Sequence, residues 1–200
     1  MKIAVYTNIQ RVFALVYRVR EKCASEVPSF EIAVRMADGM DSWREAEETA
    51  DIVLFLWMGT GLDNPFLQQA SRTLQKRRAL HLILVDNADH DKVSYGFSPE
   101  EIALAWQYFR YDGEANMKNF LLHLAKKLGV SAASEPPCTL PWHGVYHPDW
   151  HGDCRNIEGY RAAHCRDDRR TIGVIFYRSE WITGDFTYHT ALIRAIEAQG

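Results

Sequence analysis

Hydrophobic and polar positions change period along this chain. Lys2–Tyr6 (KIAVY) is a short β-rich run. Ile9, Val12, Phe13, Val16 and Tyr17 follow at i, i+3, i+4, i+7 and i+8, the stripe of a helix that buries one face. Phe30–Met36 (FEIAVRM) alternates and reads as a second strand. Asp41 is placed to cap a short helix through Glu48. Asp51–Trp57 (DIVLFLW) is continuously apolar, as a parallel strand covered on both faces requires.

Asn64–Pro65 is an N-cap followed by proline at the first helical position. The helix behind it turns Phe66, Leu67, Ala70 and Leu74 inward and ends in Lys76, Arg77 and Arg78, where cations meet the negative end of the helix dipole. Leu80–Val85 (LHLILV) is a fourth strand. Ser98, Pro99 and Glu101 form a capping box on a helix that buries Ile102, Ala105, Trp106 and Phe109. A last helix buries Met117, Phe120, Leu121, Leu124 and Leu128, and Gly129 stops it. Strands spaced by helices of this length build a mostly parallel sheet. Residues 1–129 therefore predict one flavodoxin-like α/β domain.

The texture then changes. Residues 130–140 (VSAASEPPCTL) are small, polar and proline-bearing and read as a linker. Pro141–Cys154 (PWHGVYHPDWHGDC) has neither helix nor strand period and is dense in His, Trp, Gly and Pro. Residues 130–170 are thus a linker and a His/Trp-rich loop. Order returns at Thr171–Tyr177 (TIGVIFY), which predicts a buried strand. Asp185 is placed to cap a final helix with Tyr188, Ala191, Leu192, Ala195 and Ile196 inward. A lone strand and helix cannot build a core, so residues 171–200 read as the first βα unit of a second, truncated α/β domain.

Composition narrows the classes. The chain is 47% hydrophobic and 24% charged, which excludes global disorder. A net charge of −3 argues against a bulk nucleic-acid binder. Ile52–Met58, the longest apolar run, is far short of a bilayer span. Thr7, Asn8, Gln10 and Arg11 interrupt any secretory signal core. The expectation is a cytoplasmic chain whose cysteines are thiols.

Candidate chemistry is confined to a few loops. No GxGxxG and no GxxxxGK[ST] occurs. Gly59, Thr60 and Gly61 follow the third strand and lead to a helix N-terminus, a place for an anion or simply a tight turn. Thr7–Asn8 is a poor match to the hydroxyl-rich loop that holds FMN. Cys138, His143, His147, His151, Cys154, His164 and Cys165 supply good ligands for zinc, cobalt or nickel. However, Gly144, Pro148 and Gly152 forbid the helix on which the four-residue histidine spacing would matter, and ring packing in a structured loop is the alternative. His143 and His147 remain the metal-ligand candidates. Arg166, Arg169 and Arg170 suit an anionic ligand or a solvated surface. Arg178, Glu180 and Trp181 leave the carboxyl end of the expected last strand, where α/β sites are built.

Two stretches together resemble the large subunit of aerobic-type cobaltochelatase (CobN) and the H subunit of magnesium chelatase. They are PWHGVYHPD, from Pro141, and TIGVIFYRSEWITGD, from Thr171, followed by HTALIRAIEAQG. The family carries a GIYHPD phrase, a VGILFYRS strand and loop, and an ALI-x-ALE helix. DIVLFLWMGTG also fits its N-terminal α/β domain. The resemblance implies the N-terminal part of a very long chain that holds a tetrapyrrole while Co²⁺ or Mg²⁺ is inserted, in cobalamin- or chlorophyll-type biosynthesis. ATP is hydrolysed by separate AAA+ subunits, in keeping with the missing phosphate loop. The HGVYHPD phrase sits closer to the cobalt branch. Metal insertion needs a base for the pyrrole protons and an aromatic slot with cations. His143, His147, Arg178 and Trp181 are residues of those types, and Glu180 is a further substrate-binding candidate. A non-catalytic flavodoxin-like binding module and a small zinc protein built on the His/Cys loop are the competing expectations.

Overall fold

The computed structural model describes residues 1–36, 49–59, 64–85, 89–165, 170–184 and 186–199. Four strands, β1 (Lys2–Thr7), β2 (Glu31–Met36), β3 (Ile52–Trp57) and β4 (His81–Val85), lie in the order β2-β1-β3-β4, all parallel. This is the flavodoxin-like order, with its switch point between β1 and β3. Between and after the strands run α1 (Gln10–Glu26), α2 (Pro65–Arg77), the single-turn α3 (His90–Val93), α4 (Pro99–Tyr111) and α5 (Glu114–Lys127).

The continuous apolar strands follow from cover on both faces. Ile3, Val5, Ile52, Leu54, Leu56, Leu82 and Leu84 pack against α1, α4 and α5. Their neighbours Ala4, Tyr6, Val53, Phe55, Trp57, Ile83 and Val85 point the other way, onto Leu67, Ala70 and Leu74 of α2. Alternation along each strand thus fills two cores with one sequence run.

The helix signals act where the sequence puts them. Asn64 Oδ1 accepts from the Phe66 and Leu67 amides at 2.9 and 3.4 Å. Ser98 and Glu101 close the capping box: the Ser98 amide donates to Glu101 Oε2 at 2.7 Å, and the Glu101 amide to Ser98 Oγ at 3.3 Å. The buried stripe of α1 differs from the expected one. It runs Val12, Leu15, Val16, Val19, Cys23, and Tyr17 lies exposed with the Arg20 guanidinium 3.7 Å over its ring. Leucine at position 15 and valine at 19 bury more completely than a tyrosine, whose hydroxyl keeps to water. The expected helix from Asp41 to Glu48 falls outside the described residues.

At the carboxyl edge of the sheet the Asn8 side chain extends the ladder. Its Nδ2 donates to Met58 O at 2.7 Å, and the Met58 amide donates to Oδ1 at 3.0 Å. The amide group thereby bridges the ends of β1 and β3. At the other edge His81 is fully buried, with ring nitrogens 2.8 Å from Ala79 O and 3.0 Å from Val93 O. Burial pulls its pKa below the ordinary histidine value.

The chain forms two compact units, Met1–Cys138 and Thr139–Gly200. The polar stretch after Gly129 belongs to unit 1. Val130 and Ala132 pack on its core, the Tyr108 hydroxyl donates to Glu135 O, and Asn116 exchanges two 2.8 Å bonds with the backbone of Cys138. Buried amide and hydroxyl groups of α4 and α5 need partners, and this segment supplies them.

Unit 2 holds α6 (Ile157–His164), α7 (Arg178–Thr183) and α8 (Thr187–Glu197). Thr171–Tyr177, expected as a buried strand, carries no ladder among the described residues, and Ile175 is wholly exposed. A strand is defined by its neighbours, and the described part of unit 2 offers none. Among the described residues no helix is long and apolar enough to cross a membrane.

Candidate functional site

Unit 2 gathers the chemistry into two places. The first is a cavity of about 280 Å³ whose lining includes Trp142, His143, Cys154, Phe176, Arg178 and Trp181. One wall is the irregular segment before Tyr146. The Val145 amide donates to Cys154 O at 2.7 Å, and a Cβ on Gly144 would stand 2.9 Å from that same oxygen. Only glycine permits this approach. The start of α7 supplies another part of the lining. Arg178 donates through Nε to Pro141 O at 2.7 Å and through Nη2 to Leu140 O at 2.9 Å, and its guanidinium lies 4.5 Å over the Trp142 ring. A cation, two indoles and an imidazole therefore share one small, mostly apolar hollow.

Glu180 is not among the residues that line this cavity. Its Oε2 accepts the Tyr177 amide at 3.1 Å, which caps α7, and stands 3.2 Å from His189 Nε2 on α8. His189 is buried, its Nδ1 has no partner among the described residues, and its ring packs on Phe176 at 4.6 Å. Tyr146 stacks on Phe186 at 4.0 Å, and its hydroxyl meets Thr190 Oγ1 at 2.7 Å. These contacts hold α8 to the loop that carries His143.

The second place is a charge cluster around His147, which is nine-tenths buried. Its Nε2 lies 3.0 Å from Glu197 Oε1, and its Nδ1 accepts the Asp149 amide at 3.2 Å. Arg194 grips both Asp149 oxygens at 2.8 and 2.5 Å and Glu197 Oε2 at 2.9 Å. Hydrogen bonding to Arg194 is the main reason both carboxyls are held below the usual carboxylate range. His147 meets the rings of Tyr160 and His164 at a tilt, and Trp150 packs edge-on against both of those rings.

His147, Asp149 and Glu197 offer ligand atoms within 4.8 Å of one another, the spacing of a metal centre. The donor set does not fit an ion as it stands. With Nδ1 accepting an amide proton, the imidazole's own proton sits on Nε2, the atom facing Glu197. The cation that balances the carboxylates is Arg194. The cluster is a clamp between the His-Pro-Asp turn and α8.

The sequence candidates thus separate. His143, Arg178 and Trp181 meet in the cavity, Glu180 caps α7, and His147 belongs to the clamp. The seven His and Cys residues do not converge. Cys138 lies in unit 1, His151 is exposed, and Cys154 alone joins His143 at the cavity. Gly59, two residues past β3, has φ +122°, while Thr60, Gly61, Arg166 and Arg169 fall outside the described residues. Cys23, buried on α1, has its thiol pushed up to about 12 by burial, which leaves it unreactive. Arg194, Glu197 and His189 were not singled out from the sequence. The Arg-x-x-Glu spacing at 194–197, three apart on one helix face, was the available signal.

Residues 106–200 match the protein-family model CobN/Magnesium Chelatase, a stretch that takes in the second half of α4, all of α5 and the whole of unit 2 with its cavity and clamp. This stretch is similar to the CobN/magnesium chelatase family. An uncharacterized protein of Methanocaldococcus jannaschii, MJ0908, is 34% identical over 97 residues, which cover 47% of this chain and 8% of that protein. The catalytic subunit of cobaltochelatase from Mycobacterium tuberculosis matches the fold with a TM-score of 0.62 at 18% identity, over 100% of this chain and 15% of that one. The chain therefore spans a small fraction of the length of the relatives it matches. The likeness to the solved structure extends through unit 1, which the family model reaches only from Trp106 onward.

Proposed function

We propose that this chain is part of the large, tetrapyrrole-binding subunit of a metal chelatase, which holds the macrocycle while Co²⁺ or Mg²⁺ is inserted. ATP is spent by separate AAA+ subunits, as the family resemblance implies. Cobalt is the favoured metal, on the HGVYHPD phrase.

The observation that carries this reading is the cavity of unit 2, inside the family-matched stretch. At about 280 Å³ it lies at the low end of small-molecule sites and is too small for a whole tetrapyrrole. It suits one edge of the macrocycle, a pyrrole with its carboxylate arm. Trp142 and Trp181 are flat apolar surfaces for the ring, and Arg178 is the cation for the carboxylate. His143 is the nearest group of the right type to accept a pyrrole proton. The clamp at His147 fixes the loop that presents His143, a supporting part and not a contact.

The test is metal insertion by the whole subunit with its ATPase partners, with tetrapyrrole concentration varied. Trp181→Ala is expected to raise KM about tenfold, the equivalent of roughly 1.4 kcal/mol of lost binding, with a smaller change in kcat. Unchanged KM in a folded Trp181→Ala subunit would remove the cavity from the substrate site.

A further inference from the structure

We propose that Thr171–Tyr177 is an interior β-strand whose ladder partners are strands of the longer polypeptide found in this family, outside residues 1–200. Residues 171–177 run without helix, turn or bend. From Thr171 to Phe176 no backbone N–H or C=O is hydrogen-bonded among the described residues. Among those residues both edges of this segment are open. Its side chains are β-branched or aromatic apart from Gly173, and no charge interrupts them between Arg170 and Arg178.

The same kind of sequence sits in unit 1 under opposite conditions. Ile52–Trp57 is equally apolar, has a parallel neighbour on each edge, and is at most 6% exposed. By contrast, Ile172, Ile175 and Tyr177 are 65%, 100% and 79% exposed. A run that is apolar on both faces is built for cover on both faces and pairing on both edges. An open apolar edge is also a template for pairing with another strand.

Length decides the occupant. The matched stretch makes up 8% of its archaeal relative, and the chain makes up 15% of its structural neighbour, so these proteins hold ample polypeptide to supply a sheet. A second copy of this chain is a poorer occupant. Two copies joined edge to edge satisfy one side of each strand and leave the other open.

The test is amide exchange read by mass spectrometry on residues 1–200 and on the natural longer polypeptide that contains them. Amides 172–176 are expected to exchange unprotected in the shorter chain. In the longer one they should gain about 100-fold protection or more. Val174→Pro, which deletes a ladder donor, should lower the protection of its neighbours in the longer chain and leave β1–β4 of unit 1 protected. Exchange that is equally fast in both chains would overturn the proposal. So would protection that rises with the concentration of residues 1–200, the mark of a second copy, or the absence of any longer polypeptide. The measurement uses no tetrapyrrole, metal or ATP, so its failure leaves the chelatase reading standing.

Discussion

Unit 1 and unit 2 reach order by different physics. In unit 1 the backbone of the sheet is paired, and two apolar cores close over its faces. Unit 2 has no strand among its described residues. It is tied by stacked rings, by the His147–Arg194 charge clamp and by side chains that bond to carbonyls. The first architecture is set by periodic burial, the second by a few individual side chains. Substitutions should therefore spread their effects through unit 1 and stay local in unit 2.

The largest expected effect is in the sheet. Phe55 is fully buried, stacked on Tyr6 at 5.4 Å and met edge-on by Phe66 at 6.0 Å. Phe55→Ala should destabilise unit 1 by about 3–5 kcal/mol, read from urea denaturation followed by far-ultraviolet circular dichroism. In unit 2, Phe186→Ala removes the 4.0 Å stack on Tyr146. It should cost about 1–2 kcal/mol and speed amide exchange only within residues 139–199. A loss of equal size in unit 1 would mean that the two share one cooperative transition.

The smallest effect separates the units by acidity. The folded pKa of His81 lies below its unfolded value of ~6.5, so the unfolded chain takes up the proton first. Unit 1 should lose stability as pH falls below ~6.5, with the loss complete once the pH passes the folded value. Asp149 and Glu197 also have lowered folded values, but from unfolded values near ~4. Their contribution is fully present above those values and disappears only in stronger acid. Thermal melts across pH should show a shallow slope in unit 1 near neutrality. His81→Gln should flatten it, and Arg194→Met should blunt the acid limb of unit 2. A slope that survives His81→Gln would assign it to another group, such as the half-buried His123.

Much of unit 1 was legible because burial there repeats. DIVLFLW could only be a strand covered twice, and Asn64–Pro65 and Ser98–Glu101 marked helix starts by chemistry that acts within three residues. Tyr17 misled, since a helical period does not say which apolar residue reaches the core. In unit 2 the sequence named Arg178, Trp181 and His143 without showing that they share a cavity. Their meeting depends on Gly144 lying against Cys154, a contact made ten residues apart with no period to announce it. The clamp was hidden for the same reason, because His147 and Glu197 are 50 residues apart in sequence.

The Asn8 bridge bears on how the chain assembles. It joins residues 8 and 58, so the interior edge of β1 stays unpaired until α1, β2 and β3 have all been made. Parallel pairing of this kind closes long loops before any ladder bond forms, which makes it slow. During synthesis β1 emerges first and waits longest, an apolar ribbon whose first neighbour, β2, covers only one side. The amide of Asn8 then acts as a register stop: its bonds with Met58 can form only when Thr7 lies opposite Leu56, so β1 and β3 cannot slide past one another and still close.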